Sequence, residues 1–450
     1  MIEAHGIGGQ ADLPIPLGLA VAGAVTALLV SFGVLILAWR TPRYAVPGGR
    51  PAWSWLDRAT AAPVTAALAR ALGMVVFLFA AVTAVAGENS LTNPFFGIVY
   101  VWWWVGLVAA SLLLGPVWRA ISPMRTINGL LARASGGDPE RGILDYPERL
   151  GHWPAALGLY AFVWLELVYR YPDDLGAVRL WCALYVGAML IGGAVFGNRF
   201  YERADPFEVY STLVGRLSIW ARHEGRLVVR SPLANLATVT PRPGLVAVVG
   251  VLFGSTAFDS FRESSFWITT TYDSEWSKFT LDNVGLLVFC GTATGALALA
   301  CAAVGFDVSL RGGLPRVRFT RLEVPHRRLP SVFAHSMVPI IAAYIAAHYL
   351  TLLIDTGTLT LARASDPFGR GWDMLGTAGL QPAYWFAYHP TVLATTKVLA
   401  VVIGHVTAAV AAHDRALEVL PRRHQVTGQL PLLVVMVAFT AGGLYLLFSA

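Results

Sequence analysis

Long apolar stretches, separated by short polar segments, dominate the chain. A helix needs about 20 apolar residues to cross the roughly 30 Å hydrocarbon core of a bilayer. Ten stretches meet this requirement, at approximately residues 15–39, 69–87, 94–118, 153–171, 178–198, 244–262, 283–306, 331–354, 391–413 and 429–449. The pattern therefore predicts an all-α integral membrane protein, folded as a bundle of about ten transmembrane helices.

Basic residues are concentrated in every second polar segment. With the N-terminus placed outside, the inner segments hold most of the 33 lysines and arginines, whereas outer segments such as 263–282 and 355–389 are acidic and aromatic. Inner loops of membrane proteins carry such an excess of positive charge. We therefore expect both the N-terminus and the C-terminus outside, and the net charge of +6 reports orientation rather than a nucleic-acid partner.

The polar segments contain no insertion large enough for a separate soluble domain. Residues 1–450 are therefore expected to form a single polytopic membrane domain, with 1–14 as an outer N-terminal segment and 199–243 as a basic inner loop. Ser122 and Asp205 begin two similar stretches, in which an N-cap residue is followed by proline and an amphipathic run. These stretches predict short interfacial helices on the inner leaflet.

Composition excludes a water-soluble fold. The chain is 56% hydrophobic and 13% charged, against about 25% charged in ordinary soluble domains. Its alanine-, arginine- and glycine-rich composition is typical of a GC-rich bacterium, which favours the bacterial inner (cytoplasmic) membrane, with the lipid bilayer as its main partner. Trp102, Trp103 and Trp104 lie deep within the third stretch and are interpreted as lipid-facing bulk, with a packing or cavity role as the alternative.

The eighth and ninth stretches contain four histidines and a lysine. Polar groups within hydrocarbon cost free energy unless they are paired or solvated, so each is a functional candidate. Because the two helices are expected to run antiparallel, their ionisable residues fall into two layers. His348 and Lys397 belong to the outer layer, and His335, His405 and His413 belong to the inner one.

Neutral imidazole is a good ligand for copper, zinc and haem iron. His335, His405 and His413 therefore predict a metal or redox-cofactor site, with His348 and the N-terminal His5 as further metal ligands. The histidine spacings do not match stacked bis-histidine haem sites. In the alternative interpretation, the inner-layer histidines are structural: those near the helix ends act as caps, and the one deeper in the membrane bonds a neighbouring helix.

A second interpretation is a proton- or ion-coupled transporter, whose ion pathway would use Lys397, the same histidines and Glu166 as the carboxylate partner of the lysine. Asp259, near the outer end of the sixth stretch, is interpreted as a solvated helix end. A third interpretation is a subunit of a larger membrane complex. The sequence lacks G-x-S-x-G, HExxH and P-loop motifs, and its three cysteines form no CxxC pattern, so no catalytic residue is assigned.

Several local motifs together resemble a family of bacterial multipass membrane proteins, some of which are named fenitrothion hydrolase. The motifs are His5-Gly-Ile-Gly with Asp12-Leu-Pro-Ile-Pro, Trp118-Arg119, Ser122-Pro-Met-Arg-Thr, Asp205-Pro-Phe, His335-Ser-Met-Val-Pro339, Ala347-His348-Tyr, Gly404-His405 and Ala412-His413. The resemblance implies hydrolysis of an organophosphate triester, which needs a metal-activated water. It directs attention to His335, His348, His405 and His413.

Overall fold

The computed structural model describes residues 9–45, 48–304, 306–311, 314–319, 324–422 and 425–448. Within these ranges, nine helices are long and apolar enough to cross a membrane, and Trp153–Leu167 is a shorter apolar helix. Large apolar side chains such as Leu37, Val85 and Leu299 are exposed on the outside of the bundle. The protein is thus an all-α multipass membrane protein, as the sequence predicts.

The α-helices are numbered in chain order. They are α1 (Leu17–Ala38), α2 (Ser54–Ala61), α3 (Pro63–Ala86), α4 (Pro94–Phe96), α5 (Leu107–Leu114), α6 (Val117–Ile121), α7 (Pro123–Ala134), α8 (Trp153–Leu167), α9 (Leu175–Phe196), α10 (Asn198–Ala204), α11 (Pro206–Gly215), α12 (Pro232–Leu236), α13 (Leu245–Arg262), α14 (Ser265–Asp273), α15 (Lys278–Ala302), α16 (Leu329–Phe333), α17 (Val338–Thr351), α18 (Gly357–Ala364), α19 (Trp385–Tyr388), α20 (Pro390–Val419) and α21 (Leu430–Phe448).

Two of the membrane-crossing segments are not regular α-helices. Pro94–Leu114 contains a π-helical stretch, Gly97–Gly106, between α4 and α5. His326–Ala364 contains a 3-10 turn, Ala334–Met337, and a π-helical stretch, Leu352–Thr356. The two π-helical stretches pack against each other. π-helical turns of this kind are frequent at functional sites.

The polar segments meet in two groups, one at each end of the bundle. At the predicted inner end, strands β1 (Arg50–Pro51), β2 (Trp220–His223) and β3 (Arg226–Val229) form an antiparallel sheet in the order β1-β3-β2. A hairpin of β4 (Phe306–Arg311) and β5 (Leu314–Phe319) follows α15. At the other end, the side chains of Asn89 and Asp174 join two predicted outer segments at 2.9 Å. This grouping agrees with alternating passages through a bilayer.

Small residues allow the central helices to approach closely. A Cβ atom at Gly404 of α20 would lie 2.5 Å from the Cβ of Ala343 and 2.9 Å from the carbonyl oxygen of Pro339, both on α17. On α13, a Cβ at Gly254 would lie 2.6 Å from the Cα of Cys290. Glycine at such contacts lets two backbones pack without a steric clash, which is how membrane helices commonly associate.

The tryptophans of the third membrane-crossing segment pack inside the protein. Trp104 is 1% exposed, and Trp103 stacks on Trp118 with ring centroids 5.4 Å apart and an interplanar angle of 25°. The ring of Phe207 lies 4.0 Å from that of Trp103. The lipid-facing interpretation is therefore wrong for Trp103 and Trp104, because α11 places an aromatic surface beside them.

The two proline-led helices begin as predicted. The Ser122 hydroxyl accepts from the backbone N–H of Arg125 at the start of α7, and the Asp205 carboxylate accepts from that of Phe207 at the start of α11. Nearly all of α11 is buried against α5, α6 and α8, whereas α7 exposes Leu130. Placement of these helices on an inner leaflet stays a prediction.

Candidate functional site

The last turn of α13 meets the second half of α17 in a fully buried polar cluster at the predicted outer third of the bundle. Asp259 and Ser260 come from α13, and Tyr344, His348 and Tyr349 come from α17. Tyr344 and His348 are four residues apart, so they share one face of the helix. All five side chains are at most 3% exposed. The interpretation of Asp259 as a solvated helix end is therefore wrong.

A continuous hydrogen-bond chain joins these five residues. The Tyr344 hydroxyl donates to Ser260 Oγ at 3.0 Å, and Ser260 Oγ lies 3.2 Å from His348 Nδ1. His348 Nε2 lies 3.0 Å from Asp259 Oδ2, which also accepts from the Tyr349 hydroxyl at 2.7 Å. Buried polar groups need such partners, because leaving one unpaired costs about 1–3 kcal/mol.

The cluster can hold one additional proton without losing a hydrogen bond. When His348 is neutral and protonated on Nε2, it donates to Asp259, and Nδ1 accepts from the Ser260 hydroxyl. When His348 is doubly protonated, Nδ1 donates to Ser260 Oγ instead. The Ser260 hydroxyl can then turn to the backbone carbonyl of Thr256, 3.3 Å away. In both protonation states of His348, each ring nitrogen has a hydrogen-bond partner, and the charged imidazole lies next to the Asp259 carboxylate.

Lys397 lies on α20 at the same predicted depth and is 1% exposed. The carboxylates whose charges act on it are those of Glu263 and Asp12. The helical turn Gln10–Asp12 packs against α20, so part of the N-terminal segment does cover this side of the protein. His5 lies outside the described residues, so its assignment as a metal ligand stays a prediction.

Glu166 has different neighbours from those the sequence suggested. It lies on α8 within electrostatic range of Asp259 and Arg262. Its Oε2 atom is buried and makes no hydrogen bond to any described residue. The sequence paired Glu166 with Lys397, but the structure brings it to the Asp259 side of the cluster, because α8 packs against α13.

Each inner-layer histidine has its own local environment. His335 Nδ1 bonds the carbonyl of Val332 at 2.9 Å, and the same ring also bonds the backbone of Ala411 on α20. His405 Nδ1 bonds the carbonyl of Val401 on its own helix at 2.8 Å. His405 Nε2 is buried and has no hydrogen-bond partner among the described residues. In the described part of the chain, no group of three or more His, Cys, Asp or Glu could hold a metal ion.

His413 and Asp414 fasten the end of α1 to α20. His413 Nε2 bonds the carbonyl oxygen of Trp39 at 2.9 Å, and its Nδ1 lies 3.0 Å from Gln429 Oε1. The Asp414 carboxylate accepts from the Trp39 indole and from the backbone N–H of Arg43 at 2.7 Å. Both ring nitrogens of His413 are thus occupied. The interpretation of His413 as a helix cap is wrong, because α20 continues to Val419.

Asp205 is a further buried carboxylate at the predicted inner end. Asp205 accepts hydrogen bonds from the Trp118 indole and the Tyr185 hydroxyl, each at 3.0 Å. Burial, together with the nearby charge of Glu208, raises the pKa of Asp205 to about 7, although its hydrogen bonds act in the opposite direction. Neither the indole nor the phenol partner could be assigned from sequence spacing, because Trp118 is on α6 and Tyr185 is on α9, whereas Asp205 precedes α11.

His152, directly before α8, supplies a pH-dependent contribution to stability. Burial is the main reason that its pKa falls to about 4. Between pH 6.5 and pH 4, His152 is therefore protonated in the unfolded chain but stays neutral in the folded protein. The contribution of neutral His152 to the free energy of unfolding is complete above pH 6.5 and is lost as the pH falls towards 4.

We expect His152→Gln to reduce the loss of stability between pH 7 and pH 5 by about 1–2 kcal/mol. Thermal unfolding of the detergent-purified protein at several pH values measures this difference. His223→Gln, on the β2–β3 hairpin, serves as the control. An unchanged pH profile in His152→Gln would contradict the assignment.

Comparison with known proteins adds no relative. A scan of protein-family models, a search of curated proteins and a search of solved structures each gave no significant match. The resemblance to the family that includes fenitrothion hydrolases therefore stays an expectation from local motifs.

Proposed function

We propose that the protein is a proton-coupled membrane transporter, in which the Asp259–His348 pair binds the coupling proton. The observation that supports this proposal is the five-residue hydrogen-bond chain, which accepts a proton with every hydrogen bond retained. Ionisable groups buried within membrane helices are costly and typically form ion or proton pathways. The bacterial inner membrane is the proposed location.

The position of the cluster supports a role in transport. Its helices form the centre of the bundle, because 78% of the residues of Leu245–Arg262 and 72% of those in the most apolar part of His326–Ala364 are buried. Glu166, on α8, lies within electrostatic range of Asp259. A proton arriving at Asp259–His348 therefore changes the electrostatic balance between α8, α13 and α17, which is what coupling to a helix movement requires.

The same residues also have the composition of a hydrolytic Ser-His-Asp site, although the organophosphate hydrolase alternative would need a metal-activated water instead. Ser260, however, is 2% exposed and is enclosed by the Tyr344 hydroxyl and the Thr256 carbonyl. A nucleophile must reach the reacting atom of its substrate. The geometry therefore favours proton binding over nucleophilic catalysis.

Binding of copper, zinc or haem is a separate proposal based on His335, His405 and His413. The described residues do not fit such a site, because at least one ring nitrogen of each histidine already bonds a backbone carbonyl and no group of three His, Cys, Asp or Glu donors forms among them. Stoichiometric metal or a haem spectrum in the purified protein, lost in His405→Ala, would support that proposal. A role as a subunit of a larger complex would instead require partners that co-purify.

The transport proposal is tested with the full-length protein in vesicles that contain a pH-sensitive dye. An inside-negative potassium diffusion potential is applied, and proton entry is followed by the dye. We expect entry above the level of empty vesicles for the wild type, and entry at the empty-vesicle level for Asp259→Asn and His348→Gln. His389→Gln, on the exposed outer surface, should behave like the wild type.

Two further variants separate proton binding from folding. Ser260→Ala removes the group that accepts from Nδ1 of the charged imidazole, so proton entry should fall, whereas Tyr349→Phe keeps the relay and should retain part of it. Proton entry that exceeds the empty-vesicle level equally in wild type and in Asp259→Asn would refute the proposal. Size-exclusion profiles confirm that each variant is folded.

A further inference from the structure

A polar cavity of about 170 Å³ lies at the predicted inner end, between α6, α10, α11 and the segment before α13. It is separate from the Asp259–His348 cluster. A water needs about 10–15 Å³ of such space, so the cavity can hold a larger polar group. Its charged lining consists of Arg119, Arg203, Arg216, Arg242, Glu202 and Glu208.

The acidic side chains around the cavity are already paired. Glu202 bonds Arg119 at 2.8 Å, and Glu208 forms two bonds of 2.6 Å with Arg125. Glu148 does not line the cavity, but its carboxylate forms ion pairs with both Arg203 and Arg242, at 2.8 and 3.2 Å. Each of the other three arginines of the lining therefore has an acidic partner among the described residues, although Arg203 and Arg242 share one carboxylate.

Arg216, at the end of α11, has no acidic partner in the described part of the chain. The charges that act on it are those of Arg230 and Arg119, which together with burial lower its pKa. Its guanidinium therefore stands in a partly enclosed site with like charges beside it. Thr212 lies one turn earlier on α11 and also lines the cavity, so it adds a hydroxyl donor on the same helix face.

We propose that this cavity is a binding site for a phosphoryl anion, held by Arg216 with Thr212 and Arg119. Guanidinium groups match the geometry of phosphate oxygens and bind them through two parallel N–H donors. An anion here would satisfy the unpaired charge of Arg216 and reduce its repulsion with Arg119. Free phosphate and the headgroup of an anionic lipid present this same chemistry at the inner side.

The first arm of the test uses inorganic phosphate. Thermal unfolding of the detergent-purified full chain is followed while sodium phosphate is titrated at constant ionic strength against sodium chloride. We expect phosphate to raise the unfolding midpoint of the wild type, since a ligand that binds only the folded state stabilises it. Arg216→Gln should weaken the apparent affinity roughly tenfold, and Thr212→Val should weaken it less.

The second arm uses lipid. Mixed micelles that contain phosphatidic acid are compared with micelles that contain phosphatidylcholine. Stabilisation by inorganic phosphate assigns a soluble anion, whereas stabilisation by phosphatidic acid alone assigns a lipid headgroup. Arg226→Gln is the matched control, because Arg226 lies exposed on β3 and should leave either response unchanged.

A readout without ligand distinguishes binding from a structural role. If the role of Arg216 is to bind an anion, Arg216→Gln should be at least as stable as the wild type when no phosphate is present. The substitution removes the repulsion between Arg216 and the neighbouring arginines. A less stable unliganded variant, or wild type that responds to neither phosphate source, would overturn the proposal. Asp259→Asn should keep the stabilisation by phosphate, so the anion-site proposal and the proton-transport proposal are tested independently of each other.

Discussion

Replacing Glu208 with alanine should lower the stability of the folded protein by roughly 3–5 kcal/mol. The Glu208 carboxylate holds Arg125 through two hydrogen bonds of 2.6 Å, and the side chains are 2% and 12% exposed. Removing the acid leaves a guanidinium buried without its counter-charge. Chemical unfolding of the detergent-purified protein, with apparent midpoints from at least two probes, measures the loss.

The exposed pair Arg119–Glu202 provides the matched control. Its side chains are 57% and 37% exposed, so solvent screens the attraction, and Glu202→Ala should cost only about 0–1 kcal/mol. The double variant Arg125→Met/Glu208→Leu should recover most of the stability, because it removes both buried charges together. Equal losses for Glu208→Ala and Glu202→Ala would contradict the role assigned to the buried pair.

Gly254→Ala should destabilise the protein by about 3 kcal/mol, although the same substitution stabilises many exposed helix positions. The added Cβ would lie 2.6 Å from the Cα and 2.7 Å from the backbone nitrogen of Cys290, so α13 and α15 would have to separate. A backbone cannot yield locally in the way that a flexible side chain can. Thermal unfolding midpoints in detergent measure the effect.

Gly291→Ala is the control on the facing helix. Nothing lies within 4 Å of a Cβ at Gly291, so this substitution should be neutral or stabilising by about 0.5–1 kcal/mol. Because Gly254 is on the helix that carries Asp259, separation of α13 should also reduce proton entry in the vesicle assay. Wild-type stability in Gly254→Ala would show that the helices are not packed as described.

The secondary structure of the spans was largely available from sequence. The apolar stretch at 15–39 corresponds to α1, Leu17–Ala38, and that at 244–262 corresponds to α13, Leu245–Arg262. Bilayer thickness sets the length of an apolar helix, so a simple hydropathy pattern finds it. The π-helical and 3-10 turns of His326–Ala364 were not predicted, because packing against neighbouring helices determines where a helix changes pitch.

The candidate site was predicted only in part. His348 was identified because a histidine within an apolar run is conspicuous, but Asp259 and Ser260 were not, because polar residues at the end of a helix usually face water. Tyr344 and His348 at a spacing of four could have signalled a polar face on α17. No such signal exists for the contact between α13 and α17, whose residues lie far apart in the chain.

The sequence by itself determined that the chain is a bundle of membrane-crossing helices, with its ionisable residues at particular depths, because apolar length and spacing along a helix axis are local properties. The tertiary structure alone decided the rotation of each helix and its neighbours. In the folded protein, His348 contacts Asp259, His413 contacts Trp39, and Glu166 lies near Asp259 rather than pairing with Lys397. These partners depend on packing between segments that are distant in the sequence.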